Sequence, residues 1–495
     1  MDQKAIFRLI SFDLLLFQVL SPSAHHNILC DTSMTRIDAP EKNRALVASL
    51  LALAIFSLYV LLARQAELRL AVPLLVGVTA AVTILLACVF CLGKRGSVSW
   101  SPLVILIVAL LLRLMFLFAP PQLSDDIYRY LWDGSTTLSG NNPYAAAPAS
   151  ITPLPKLAAI HVRINHPRYV TIYPPAAQVV FAGGAALGNT ITGLKALLVL
   201  LDMGLCALLI VLLKRLEMPV WRAVLYAWNP LPVVEIAGSG HVDGAGLTML
   251  MGALCLLVAG GGTVVKRWPF LLSGALLASA GLVKLLPFVL APLLFLLVPK
   301  GRRSWFVAGF AASLAVLIVP FLPHVTNMFT SLDVYARTWE FAGFAFTSLR
   351  SLTGSGTAAR LILSIAFLFT VAAILRRFAR NSNSSASPTM QACQTLNACY
   401  ATAMALLLLT PTLQPWYALC LAAFLPFSAG PAGLILCWAV FLTYQVQIPY
   451  FILGQWHENP LVTAAVFVAP VTAWGLARLF GQWWGAGGKK QPYTA

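Results

Sequence analysis

Apolar runs close to the length a helix needs to cross a bilayer recur along the whole chain, separated by short polar breaks. The clear ones are Ala45–Ala63, Leu70–Leu92, Leu103–Ala119, Ile191–Leu213, Pro219–Ala237 and Asp243–Ala259. Trp268–Val298 is long enough for two short helices meeting near Gly281–Lys284. Ser304–Leu322, Ala358–Leu375, Ala392–Thr410, Trp416–Phe427, Ala432–Val446 and Leu461–Phe480 complete the series. Pro175–Leu187, at about thirteen residues, is too short to cross and reads as an interfacial helix on the outer leaflet. The pattern predicts an all-α polytopic membrane protein with about 13–14 transmembrane helices.

Composition supports this reading: 59% of the 495 residues are hydrophobic and only 10% are charged, too few for a soluble domain. The net charge of +17 could suggest a polyanion partner. The basic residues, however, fall in short doublets between apolar runs, which fits membrane orientation and no nucleic acid. The nine cysteines are scattered without metal-ligand or disulfide spacing.

Placing Arg36, Lys42 and Arg44 inside puts Lys94 and Arg95 inside and the loop Leu123–Tyr144 outside. Arg64 and Arg69 then fall outside, against the charge rule. Residues 1–44 form an N-terminal lead, mostly cytoplasmic, of which 1–33 receive no assignment. Residues 45–480 form one transmembrane domain with extracytoplasmic loops at 120–190 and 323–357, and 481–495 form a cytoplasmic tail. The polar stretch 381–388 reads as a flexible inner loop. From Asp125 onward, eight of ten carboxylates fall on the outer side: Asp125, Asp126, Asp133, Glu235, Asp243, Asp333, Glu340 and Glu458. One face of the membrane carries the polar equipment.

The densest cluster is SDDIYRYLWDG, directly after an apolar run. A carboxylate of the Asp125–Asp126 pair could act as general base, its pKa set by its neighbour; equally, a solvated loop could mark a membrane edge. Tyr128, Arg129 and Tyr130 beside the pair are candidates for substrate contact, and Asp133 is a structural partner for Arg129. Tyr173 precedes two prolines that suit a helix start, with His166 and Arg168 upstream. His241 and Asp243 have metal-type spacing, but two ligands do not make a site. Lys284 inside an apolar run either snorkels or meets an anion. Arg337 is a second phosphate candidate, or pairs with Glu340. Gln414, Trp416 and Tyr417 offer an edge where a sugar ring could stack, or an interfacial belt. Asp202 lies mid-span as a buried hydrogen-bonding group, and Gln455–Glu458 form an outer loop without assigned role.

The ordered set SDDIYRYLWDG, GNNPY, IYPP, NP…GHVDG, GLVKLLP, YARTWEF and TPTLQPWY, between Leu103 and Tyr417, resembles the GT-C superfamily of glycosyltransferases. It is most similar to the bacterial polyprenyl-phosphate-mannose-dependent mannosyltransferases and their uncharacterised relatives. The resemblance implies a GT-C-like fold with interfacial helices in the first large extracytoplasmic loop, in a bacterial cytoplasmic membrane with the active face outside. It also implies a lipid-phosphate-linked sugar donor, a lipid or glycan acceptor, and an aspartate base in that loop. By motif match the base is Asp126, with Asp125 next in line. Lys284 and Arg337 would then hold the donor phosphate. No metal site is readable, and a divalent cation stays open because Asp125 and Asp126 alone are too few ligands. The chain has no P-loop or Rossmann fingerprint for a nucleotide sugar. The expected function is an inverting transfer of a hexose, mannose by resemblance. The alternative is a lipid-linked-sugar transporter or flippase, which predicts internal repeats and polar groups at mid-membrane.

Overall fold

The computed structural model describes residues 41–259, 266–382, 387–428 and 430–485. The lead up to residue 40, residues 383–386 of the loop at 381–388 and the tail from 486 lie outside them. The protein is an all-α, multi-pass membrane protein, and among the described residues there is no strand beyond isolated bridges of Phe341 and Ala342 with Thr412. Among the described residues eight helices are long and apolar enough to cross a membrane, and four shorter apolar helices of 10–17 residues accompany them.

Three helices open the fold: α1 (Glu41–Ala63), α2 (Val72–Lys94) and α3 (Pro102–Leu117). Ser101 caps α3 by accepting from Val104 N, and Pro102 sits where its missing N–H costs nothing. The helices α4 (Asp126–Leu138) and α5 (Pro175–Ala186) pack against each other. Gly134 allows that contact, since a Cβ there would meet Phe181 O at 2.2 Å. At twelve residues α5 is too short to span; the N–H groups of Ala176 and Ala177 donate to Leu282 O, anchoring it over the Gly281–Lys284 turn. The long α6 (Ile191–Arg215) follows, then α7 (Asp243–Ala259), and α8 (Trp268–Gly281) with α9 (Leu286–Leu297) as the two short helices expected in Trp268–Val298.

Two expected spans are not continuous helices. Pro219–Ala237 is a 3-10 turn, two short helical pieces and a π-helical turn at Val233–Gly238, because Pro219, Pro230 and Pro232 interrupt the ladder. Trp416–Phe427 is likewise reduced to a 3-10 turn at Pro415–Ala418 and a single turn at Leu419–Ala422. Nearly every residue of both stretches is buried, so neighbouring protein rather than lipid satisfies the irregular backbone.

The core holds a charged clamp. Arg113 Nε donates to Asp202 Oδ2 at 2.6 Å with both side chains fully buried, and Tyr226 OH donates to Asp202 Oδ1 at 2.6 Å. Arg113 Nη1 also donates to the carbonyls of Ala109 and Ala227, which ties α3, α6 and the broken stretch together. Outward-facing leucines and isoleucines on α1, α3 and the Gly356–Ser382 helix remain exposed at helical spacing, as a lipid-facing surface requires.

Candidate active site

Asp126 is the first residue of α4, where the helix terminus favours a negative charge. Its backbone N–H donates to Ser124 Oγ at 3.3 Å. Two side chains hold its carboxylate: Asn165 Nδ2 donates to Oδ1 at 2.6 Å and Tyr173 OH to Oδ2 at 3.2 Å. Tyr130 OH in turn donates to Tyr173 OH at 3.2 Å. Asn165 is presented by a turn in which His166 takes φ +51°, a left-handed conformation uncommon outside glycine. The imidazole of His166 lies edge-on to Trp339 at 4.8 Å, and burial pushes its pKa down.

A cavity of about 730 Å³ opens beside Asp126. Asp125, Asp126, Arg69, Asp243 and Lys284 give it charge, while Leu285, Leu286, Pro287, Val289 and Leu406 line it with hydrocarbon. Lys284 Nζ sits 3.3 Å from Asp243 and over the rings of Tyr173 (5.8 Å) and Tyr417 (5.2 Å), so one ammonium is held by a carboxylate and two aromatic faces. The side chain of Lys284 stays 30% exposed, leaving room for a further anion. Burial raises the pKa of Asp125, partly countered by Arg69.

Most of the sequence-selected residues come together here. Gln414, Trp416, Tyr417, His166, Tyr173, Arg129 and Asp243 all line the cavity. The YARTWEF and TPTLQPWY segments are joined by backbone bonds, Leu413 N to Phe341 O at 2.7 Å and Phe341 N to Pro411 O at 3.2 Å. Gly343 permits this, since a Cβ there would lie 2.4 Å from Pro411 O. Tyr335 OH and Tyr417 OH meet at 2.5 Å across the join. His241 stacks on Trp416 at 3.9 Å.

Other candidates sit elsewhere. Tyr128 and Tyr130 are buried and outside the cavity lining; Tyr128 OH accepts from Arg163 Nη1 at 2.5 Å. Arg129 touches the cavity; its Nε and Nη1 are held by Asp133 at 2.9 Å and Tyr169 O at 3.0 Å, which joins α4 to the following loop. Arg337 stands apart: its side chain is 76% exposed, pairs with Asp333 at 2.8 Å and does not line the cavity. Helix spacing explains it, because Asp333 lies one turn before Arg337. Glu340 pairs instead with Arg350 and Arg360. Glu458 gains a role by accepting from Ala342 N at 2.8 Å.

Sequence reasoning missed Asn165, which carries no local signal, and did not place Glu235 or Tyr444 in the site. Arg69 had a signal, since its position broke the charge rule; it lines the cavity paired with Glu67 at 2.8 Å. Among the described residues no group of three or more His, Cys, Asp or Glu side chains is placed to hold a metal ion.

Residues 46–300 match the family model described as Alpha-(1->6)-mannopyranosyltransferase, N-terminal domain, which is more than half the chain. The chain belongs to this family. Asp126, His241, Asp243 and Lys284 lie inside the matched stretch of the mannopyranosyltransferase family, whereas Gln414, Trp416 and Tyr417 lie beyond it. The chain is also similar to Alpha-(1->6)-mannopyranosyltransferase B of Corynebacterium glutamicum, at 24% identity over 398 residues, 74% of this chain. That match spans 65% of the relative's length. No solved structure matches. Membership supports glycosyl transfer in general, on a polytopic membrane scaffold.

Proposed function

We propose that this protein is an inverting glycosyltransferase that moves a hexose, mannose by family, from a polyprenyl-phosphate donor to an extracytoplasmic lipid or glycan acceptor. The membrane would be a bacterial cytoplasmic one, with the cavity on its outer face. The observation that carries the reading is the pairing, in one cavity, of a held carboxylate at Asp126 with an incompletely occupied ammonium at Lys284 and an apolar lining.

In this reading the prenyl chain lies along Leu285–Pro287 and Val289, and the donor phosphate meets Lys284. Asp126 takes the proton from the acceptor hydroxyl as its oxygen attacks the anomeric carbon. The bond from that carbon to the phosphate oxygen breaks, and its electron pair leaves with the polyprenyl phosphate. The transition state is oxocarbenium-like, and Lys284 stabilises charge developing on the leaving group. A single displacement inverts the anomeric centre. Trp416, Tyr417 and Gln414 supply aromatic and polar surface for the sugar.

The rival transporter reading predicts passage of intact donor across the membrane without turnover. The test is to incubate purified protein in lipid nanodiscs with labelled polyprenyl-phosphate mannose and polyprenyl-phosphate glucose and to follow release of polyprenyl phosphate. Consumption of one donor, dependent on an added glycan or lipid acceptor, supports the reading. Movement of intact donor between leaflets without turnover refutes it.

A further inference from the structure

Behind Asp126 lies a buried pair that the proposed reaction does not use. The π-helical turn at Val233–Gly238 carries Glu235, and Gly240 at φ +80° turns the chain so that His241 N–H donates to Glu235 O at 2.9 Å. A side chain at Gly240 would press on Ile127 Cδ1 at 2.5 Å, so glycine is what lets this turn sit against α4. The imidazole of His241 is fully buried, with Nδ1 4.0 Å from Asp126 Oδ2 and Nε2 3.5 Å from Glu235 Oε2. Neither ring nitrogen has a hydrogen-bond partner within normal distance. Glu235 is also fully buried and is met by Tyr444 OH at 2.9 and 3.0 Å from its two oxygens. The other charges nearby, Asp243 and Lys284, pair with each other, and Tyr173 OH is committed to Asp126.

A neutral imidazole has one N–H and one lone pair, so it cannot donate to two carboxylates at once. With Asp126 ionised as the base, two arrangements fill both contacts. One is an imidazolium between two carboxylates. The other is a neutral ring that donates to Asp126 and accepts from a protonated Glu235. Both hold the same number of protons, one more than a neutral ring with two carboxylates. A neutral ring between two carboxylates would leave one of them facing a ring lone pair, which is the costly alternative.

We propose that His241 and Glu235 share this one proton and act as positioning residues, keeping an N–H aimed at Asp126 so that its carboxylate stays oriented toward the cavity. This rests on the reading of Asp126 as the base. When the shared proton leaves at high pH, the remaining ring proton turns to Glu235 and a lone pair faces Asp126. Asp126 then faces that lone pair in place of an N–H, and transfer falls.

The test is the pH–rate profile of sugar transfer for wild type, Glu235→Gln and Asp126→Asn in nanodiscs, with thermal unfolding as a folding control. Wild type is expected to show an acid and an alkaline limb. Glu235→Gln, which donates to Nε2 without titrating, is expected to keep the acid limb and lose the alkaline one, so that its rate relative to wild type climbs by about tenfold per pH unit along that limb. A retained alkaline limb in Glu235→Gln, or none in wild type up to pH 9.5, overturns the proposal. Full transfer by Asp126→Asn would instead remove the base reading itself. If Glu235→Gln does not fold, ¹⁵N spectra of the histidine rings in the wild-type protein decide, with His241→Gln for assignment. Two hydrogen-bonded nitrogens support the shared proton, and two free ones overturn it.

Discussion

Replacing Lys284 with Gln separates donor binding from the rest of the site. Lys284 Nζ touches Asp243 at 3.3 Å and the faces of Tyr173 and Tyr417, and its side chain remains 30% exposed toward the cavity. A hydrogen bond to a charged group contributes about 1.5–3 kcal/mol, which corresponds to a loss of roughly 10–150-fold in kcat/KM for the donor. The single variant also leaves Asp243 without its cation in a buried position, which costs stability independently. A double variant, Lys284→Gln with Asp243→Asn, removes that second cost because no uncompensated carboxylate remains. The assay is initial rate against donor concentration in nanodiscs, alongside the thermal midpoint of each variant. The double variant is expected to regain thermal stability and stay deficient in donor use. Wild-type kcat/KM in either variant, or recovery of donor use together with stability, would refute a phosphate role for Lys284.

Arg337→Gln is expected to leave donor KM within about twofold of wild type, because an exposed i,i+4 pair with Asp333 contributes little; a tenfold rise would return Arg337 to the site. Arg113→Met breaks the buried clamp to Asp202 and is expected to destabilise by about 3–5 kcal/mol, read as a lower thermal midpoint with transfer per folded molecule unchanged. Asp125 has a pKa raised by burial in the folded state, so folding favours its protonated form. That stabilisation is present below its unfolded pKa and is lost as pH rises through the folded value. Asp125→Asn is therefore expected to raise the thermal midpoint at pH 7.5 and not at pH 4, while transfer persists.

The sequence made most of the site legible because membrane chains leave few places for charge. Lys284 inside an apolar run and the Asp125–Asp126 pair stood out for that reason, and both line the cavity. The stretch Trp268–Val298 was readable as two helices because its length and flanking cations allowed little else. Hydropathy failed at Pro219–Ala237 and Trp416–Phe427, where buried irregular segments are as apolar as a span and only the prolines hint at the break. The place of Arg337 was not legible, because a cation in an aromatic motif looks alike whether it faces a cavity or Asp333 one turn back. Asn165 and Tyr444 reach Asp126 and Glu235 through folding across 39 and 209 positions, which no local pattern reports.

The central claim is that the carboxylate of Asp126 takes the acceptor's proton. Its most direct test is the Asp126→Asn variant in nanodiscs, measured for donor binding and for transfer side by side. Asparagine keeps the size of the group and a carbonyl to accept from Asn165 or Tyr173, but cannot serve as the base. The account predicts donor affinity within about twofold of wild type and transfer reduced by at least about a hundredfold. Transfer at the wild-type rate would contradict it.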